Sequence, residues 1–271
     1  MPRVALVTGS TDGIGRQTAR QLAAAGMHVI VHGRSKTKVD LALAALREQV
    51  PGATFDGVAF DVGTLAGARR GAEAVLALAP ELHVLVNNAG IFAPERVVTS
   101  DQIEATLAVN FVGPFLLTQL LMPRLLASAT TVPSRVVNVS SVAHTRGRIH
   151  IDDLNLEKGW TGYAAYAQSK LANVMHAMSL AERSDATKLV AYSLHPGVVG
   201  TKLLRQGFGP VQGASVESGA KTSVMLAGAE TVGDPSGTYY AEGVATPAAV
   251  ATRDSQMRIR LWAAAVHLAK L

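Results

Sequence analysis

Short apolar runs recur along the chain at Arg3–Val7, His28–His32, Thr54–Phe60, His83–Val86, Arg135–Ser140, Leu189–His195 and Gly237–Tyr240. Each has the length of a strand, and helical segments lie between most of them, among them Ile14–Ala25, Phe111–Ala127 and Tyr166–Arg183. This alternation predicts an α/β fold, a doubly wound parallel sheet of about seven strands with helices on both faces. Crossovers are expected to be right-handed, with the ligand over the carboxyl ends of the strands, where strand order reverses. No repeat, low-complexity linker or break in composition divides the chain, so residues 1–271 read as a single domain. Residues 202–218 are glycine-rich, carry Leu203, Leu204 and Phe208, and read as an irregular flap over the site. Residues 254–269 read as a closing helix in which Met257, Leu261, Ala265 and Leu268 share one core-facing side.

The first run is followed at once by Thr8-Gly-Ser-Thr-Asp-Gly-Ile-Gly15 and then by the helical segment that Gly26 ends. Strand, glycine turn and helix stand in the order a dinucleotide site requires, so the domain reads as an NAD(P)-binding Rossmann fold. Gly9 permits the tight turn, Gly13 lets the backbone approach a pyrophosphate, and Gly15 lets the helix pack on the strand. The helix N-terminus offers N–H groups to the anion.

Cofactor choice is read at the end of the second run, Val31-His-Gly-Arg-Ser35. An NAD-selective site presents a carboxylate there to the ribose hydroxyls, and none is present. Gly33 leaves room and Arg34 can pair with a 2'-phosphate, so NADP(H) is expected over NAD(H), which is still admitted. Asp12 in the glycine loop works against that preference.

Further along, Ser140-Ser141 precedes Tyr166-Ala-Gln-Ser-Lys170. Positions four apart on a helix share a face, so the Tyr166 phenol and the Lys170 ammonium approach one small volume. A nearby cation favours the phenolate, which would let Tyr166 exchange a proton with a substrate oxygen near neutral pH. Tyr163 is no substitute, because Ala167 stands four residues on.

The spacing GxxxGxG behind Thr8, with these elements in this order, resembles the short-chain dehydrogenase/reductase family over nearly the whole chain. Asn87-Asn88-Ala89-Gly90 is similar to the family motif that floors the cofactor site, and Phe60-Asp61-Val62 to its adenine-contacting segment. His195-Pro196-Gly197-Val198-Val199-Gly200-Thr201 matches the segment that holds the nicotinamide carboxamide. The resemblance implies a catalytic set of Asn110, Ser141, Tyr166 and Lys170. In it Ser141 hydrogen-bonds the substrate oxygen, Lys170 also binds the nicotinamide ribose, and Asn110 holds a water that relays protons. The cofactor residues implied are Gly9, Ser10, Thr11, Asp12, Gly13, Ile14, Gly15, Arg34, Asp61, Val62, Asn88, Ala89, Gly90, Tyr166, Lys170, Pro196, Gly197, Val199 and Thr201. Arg135-Val-Val-Asn-Val-Ser-Ser-Val-Ala-His144, Ser169-Lys-Leu-Ala-Asn173 and Leu261-Trp262 are most similar to retinol-dehydrogenase-like and WW-domain-oxidoreductase-like members.

Pocket contributors Ser141, Val142, His144, Trp160, Leu203, Leu204 and Phe208 are mostly apolar, which implies a hydrophobic aldehyde, ketone or alcohol as substrate. A dinucleotide-sensing or scaffold protein of the same fold is the alternative, but it would have no reason to keep the four catalytic residues together. Relatives pair subunits through the helices after Asn110 and from Tyr166 to Arg183, so a homodimer or homotetramer is expected. Composition removes other classes. The chain has no cysteine, which excludes disulfides, thiolate metal sites and cysteine nucleophiles and fits a cytoplasmic enzyme. Its histidines have no metal-ligand spacing, so no metal is expected. The net charge of +5 is scattered without a basic run, which argues against nucleic acid. Pro114, Gln119 and Arg124 interrupt the most apolar helix, so no membrane span is expected.

Overall fold

The computed structural model describes residues 2–271, except for the side chain of Phe208, so that predicted pocket residue lies outside the described side chains. The strands are β1 Val4–Val7, β2 His28–Gly33, β3 Phe55–Ala59, β4 Val84–Asn87, β5 Ser134–Val139, β6 Leu189–His195, β7 Tyr239–Ala241 and β8 Val244–Ala245. They form one sheet in the order β3-β2-β1-β4-β5-β6-β7-β8. Every pairing is parallel except β7 with the two-residue β8, which makes eight strands rather than about seven. The short β8 left no run long enough to read. Order reverses between β1 and β4, where Ala5, Leu6 and Val7 lie beside Val84, Leu85 and Val86.

Alternate residues of each strand feed opposite faces. Ala5, Val7, Val29, Val31 and Val86 pack with α1 Gly13–Ala24, α2 Lys36–Gln49 and α8 Val216–Gly228. Leu6, Ile30, Leu85, Val136 and Ala191 face α3 Leu65–Leu78, α5 Gly113–Ser128 and α6 Gly162–Arg183. Both faces are thus buried, which is why the central strands read as continuous apolar runs. The short helix α4 Ala105–Leu107 runs through one π turn, Ala108–Val112, into α5. An 18-residue window of the stretch Ala105–Ser128 has a mean hydropathy of 1.6, and 72% of it is buried inside the fold.

One expectation about the C-terminal third changes. The flap contains a helix, α7 Lys202–Phe208, capped by the Thr201 hydroxyl, and α8 begins inside the predicted loop. The closing helix, α9 Ser255–Ala269, buries Leu261, Ala265 and Ala269 against Phe111, Phe115 and Met175. Trp262 meets Phe115 edge-on and carries the Arg183 guanidinium 4.4 Å from its ring centroid. The chain's own α9 therefore covers part of α5 and α6, the helices to which subunit pairing was assigned.

Candidate active site

The glycine loop is fixed by residues that converge from three strand ends. Thr8 Oγ1 accepts the Asn88 and Ala89 N–H groups, both at 3.0 Å, and donates to the Val86 carbonyl. The Asn88 amide donates back to the Thr8 and Gly9 carbonyls at 2.8 and 3.2 Å. At Gly15 a Cβ would stand 2.3 Å from the Gly9 oxygen and 2.4 Å from Asn88 Nδ2, so only glycine lets α1 close on the loop. Gly13, with φ of +55°, has the opposite setting: a Cβ there would meet nothing nearer than Thr201 Cγ2 at 3.8 Å. The glycine loop and the Thr201 segment thus face each other across Gly13, with the first N–H groups of α1 at the same end.

Some predicted cofactor residues have side chains engaged within the fold. The Ser10 hydroxyl is buried, donating to the Val7 carbonyl and accepting the His32 N–H, so it braces β1 against β2. The Val62 side chain is buried in the core. Asp61 Oδ1 accepts the Gly63 N–H at 2.9 Å and so shapes the turn after β3. Arg34 is exposed and makes no hydrogen bond or ion pair among the described residues, which leaves its guanidinium available to a phosphate. Gly90 places its Cα where a Cβ would stand 3.3 Å from Asn110 Oδ1 and 3.4 Å from Lys170 Nζ. This glycine brings the β4 loop against the catalytic set.

A further residue went unread in the sequence. His32 Nδ1 accepts the Gly9 N–H at 2.9 Å, and its Nε2 bonds the Phe60 carbonyl at 3.0 Å. An acceptor at Nδ1 fixes the proton on Nε2. The ring lies on Phe60 with centroids 4.0 Å apart, so one neutral imidazole ties the glycine loop to the end of β3.

The four predicted catalytic residues come together. Asn110 lies in the π turn; its Oδ1 accepts the Ile91 N–H at 2.8 Å, and its Nδ2 donates to the Ile91 carbonyl and to Ser169 Oγ. Ser140 bonds the Lys170 carbonyl and belongs to the strand end, whereas Ser141 hydrogen-bonds the Tyr166 phenol. Lys170 Nζ donates to the Val139 carbonyl at 2.9 Å and sits 5.5 Å from the Tyr166 ring centroid.

The electrostatics correct one expectation. Tyr166 is raised to about 12, chiefly because burial penalises the phenolate; the Ser141 bond opposes this. Burial lowers Lys170 to about 8. Tyr163 adds to the rise, and no lowering comes from Lys170, so the phenol is favoured over the phenolate and Tyr166 holds a proton to give.

The apolar side of the site is a cluster of Tyr166, Ala143, Ala167, Phe92 and Leu203. Phe92, unread in the sequence, lies 5.6 Å from the Tyr166 ring and is wedged where Cβ atoms at Gly162 and Gly207 would meet its ring at 3.0 and 2.8 Å. Val142 is exposed, and Leu204 is half-buried. Two predicted pocket residues have other duties. His144 is buried, with Nδ1 on the Ser141 carbonyl at 2.7 Å and Nε2 accepting the Ala249 N–H, so it braces the loop after β5. Trp160 donates its indole N–H to the buried Glu104 carboxylate, which also caps α4.

A sequence profile of short chain dehydrogenases matches residues 3–208. Retinol dehydrogenase 12 of Homo sapiens is 38% identical over 269 residues, covering 96% of this chain and 84% of that protein. Polyprenol dehydrogenase of Mus musculus is also 38% identical, over 98% of this chain and 83% of that one. A solved structure of an uncharacterized protein from Mycobacterium paratuberculosis superposes with a TM-score of 0.82 at 30% identity, covering 99% of this chain and 93% of that one. Pseudomonas aeruginosa RhlG, solved with NADP in its active site, superposes at 0.72 with 27% identity over 88% and 94% of the two chains.

Burial also makes the fold acid-sensitive. His32 is lowered to about 4 and His176, enclosed by Phe111, Phe115 and Trp262, to about 3. Below the unfolded histidine value near ~6.5 the unfolded chain binds protons that the fold refuses, so stability is fully present above that pH and falls as pH drops toward 4. Between pH ~7 and ~5 each histidine should cost on the order of 2 kcal/mol. Urea unfolding at both pH values measures the loss, and His32→Asn should show a smaller drop; an equal drop would contradict the assignment. By its matched profile, its relatives and its catalytic geometry, the chain belongs to the short chain dehydrogenase family and is an NAD(P)-dependent oxidoreductase acting on alcohol and carbonyl groups.

Proposed function

We propose that the protein is an NADP(H)-preferring oxidoreductase that interconverts a hydrophobic aldehyde or ketone and its alcohol, with Tyr166 as the acid and base. The observation that carries this reading is the buried Tyr166 phenol, hydrogen-bonded to Ser141 and backed by Lys170. When bound, the nicotinamide supplies or takes up a hydride at the carbonyl carbon. In the reducing direction Tyr166 gives its proton to the carbonyl oxygen, while the Ser141 hydroxyl steadies the charge that develops there. Lys170, with a value near 8, is poised to return a proton to that set. Asn110, anchored to Ile91 and Ser169, holds the β4 loop against them.

Substrate class rests on Phe92 and Leu203, packed with Tyr166 as an apolar wall that favours a hydrophobic carbonyl. The same preference is consistent with the retinol and polyprenol named for the relatives. Arg34 supports the choice of NADP(H), as does the absence of a carboxylate at the end of β2; the space beside Gly33 is taken by Thr11 and Val39 and adds nothing to it. If the enzyme forms a homodimer or homotetramer, we place the contact away from the part of α5 and α6 that α9 covers.

Tyr166→Phe should lower turnover of an apolar carbonyl by about 100-fold or more, the scale of general acid catalysis, while NADPH binding stays within a few-fold. Stopped-flow and fluorescence titration separate the two, and retained turnover would sink the assignment. Arg34→Asp should reverse the ratio of NADPH to NADH affinity. An unchanged ratio would remove Arg34 from the cofactor site.

A further inference from the structure

A cation from the flap reaches the glycine turn that opens α1. Lys202 is the first residue of α7. Its ammonium lies 2.9 Å from Asp12 Oδ2, while Asp12 Oδ1 accepts the Gly13 N–H at 2.8 Å. The carboxylate is thus held through both oxygens on the turn that opens α1, where a dinucleotide presents its phosphates. Lys202 is the leading cause that holds Asp12 below the usual carboxylate range, and Arg16, one turn along α1, adds to it. The turn is also adjacent to Arg34. A Cβ on Gly33 would stand 2.5 Å from Thr11 Cγ2, so the residues before Arg34 and before Asp12 pack on each other.

By itself a carboxylate here repels a phosphate, the difficulty that Asp12 poses for an NADP(H) site. Lys202 removes it. Both side chains are largely exposed, at 77% and 62%, so the pair can yield to a ligand, and its strength depends on salt. Lys202 is followed by Leu203, which packs on the cluster around Tyr166. One short segment therefore reaches the turn before α1 with its first residue and the cluster around Tyr166 with its second.

We propose that Lys202 is a cofactor-specificity residue: Asp12 holds it at the phosphate end of the cleft, where its charge favours the cofactor that carries the additional 2'-phosphate. This rests on the NADP(H) reading and adds to it a determinant outside the glycine loop and outside the end of β2. It also gives Asp12 a role, as the anchor of that lysine.

Nicotinamide fluorescence titrations of the full chain with NADPH and NADH test it. Lys202→Ala should weaken NADPH by about two- to fivefold, the scale of an exposed charge contact, with NADH changed less. Lys202→Glu should lower the NADPH to NADH affinity ratio further, Lys202→Arg should restore it, and high salt should shrink the loss. An unchanged ratio in Lys202→Ala, or failure of Lys202→Arg to restore it, would overturn the proposal alone. A wild-type protein that binds NADH more tightly than NADPH would instead overturn the cofactor reading beneath it.

Discussion

The active site depends on a small set of hydrogen bonds where strand order reverses. One hydroxyl, that of Thr8, takes the amides of Asn88 and Ala89, while the Asn88 side chain takes two carbonyls of the glycine loop in return. These bonds register the end of β1 against the end of β4, and His32 extends the same bracing to β3. Because the loop is held from its neighbours, its own residues are left to present backbone to a ligand. The absence of a side chain at Gly15 is what permits the closure, since any Cβ would overlap Gly9 and Asn88.

A second constraint is desolvation. Tyr166 and Lys170 are both nearly sealed from water, and each is pushed toward its neutral form, the phenol up and the ammonium down. A buried phenol that holds its proton suits a donor in carbonyl reduction, and a lysine near 8 can exchange protons close to neutral pH. Packing and chemistry are therefore coupled: Phe92, Leu203 and Ala143 exclude water from the tyrosine and also form the wall a substrate would meet.

Much of this was legible in the sequence because the site is assembled from strand ends. Every strand-like run but the last ended in its motif, and the parallel sheet carried Gly9, Asn88 and Ser141 to one edge. What stayed hidden was the partnership of side chains distant along the chain. His32 meets Phe60, and His144 meets Ala249, across strand pairings and loop closures that no local pattern encodes. Lys202 and Asp12 meet for the same reason. Phe92 looked like an ordinary loop aromatic until Gly162 and Gly207 were seen to make room for it. The helix in the flap was masked by its glycines, and the π turn at Asn110 by the unbroken helical pattern around it. The lowering of Tyr166 expected from a helix face failed because spacing along a helix reports proximity and not solvent exclusion.

The central claim is that hydride moves between a nicotinamide and a hydrophobic carbonyl in this pocket. The most direct measurement supplies NADPH dideuterated at C4 to the enzyme with apolar aldehydes and ketones, and examines the alcohols by mass spectrometry. One deuterium on the carbinol carbon is the predicted result. Oxidation of the cofactor with no deuterated alcohol, or no oxidation across the panel, would contradict it.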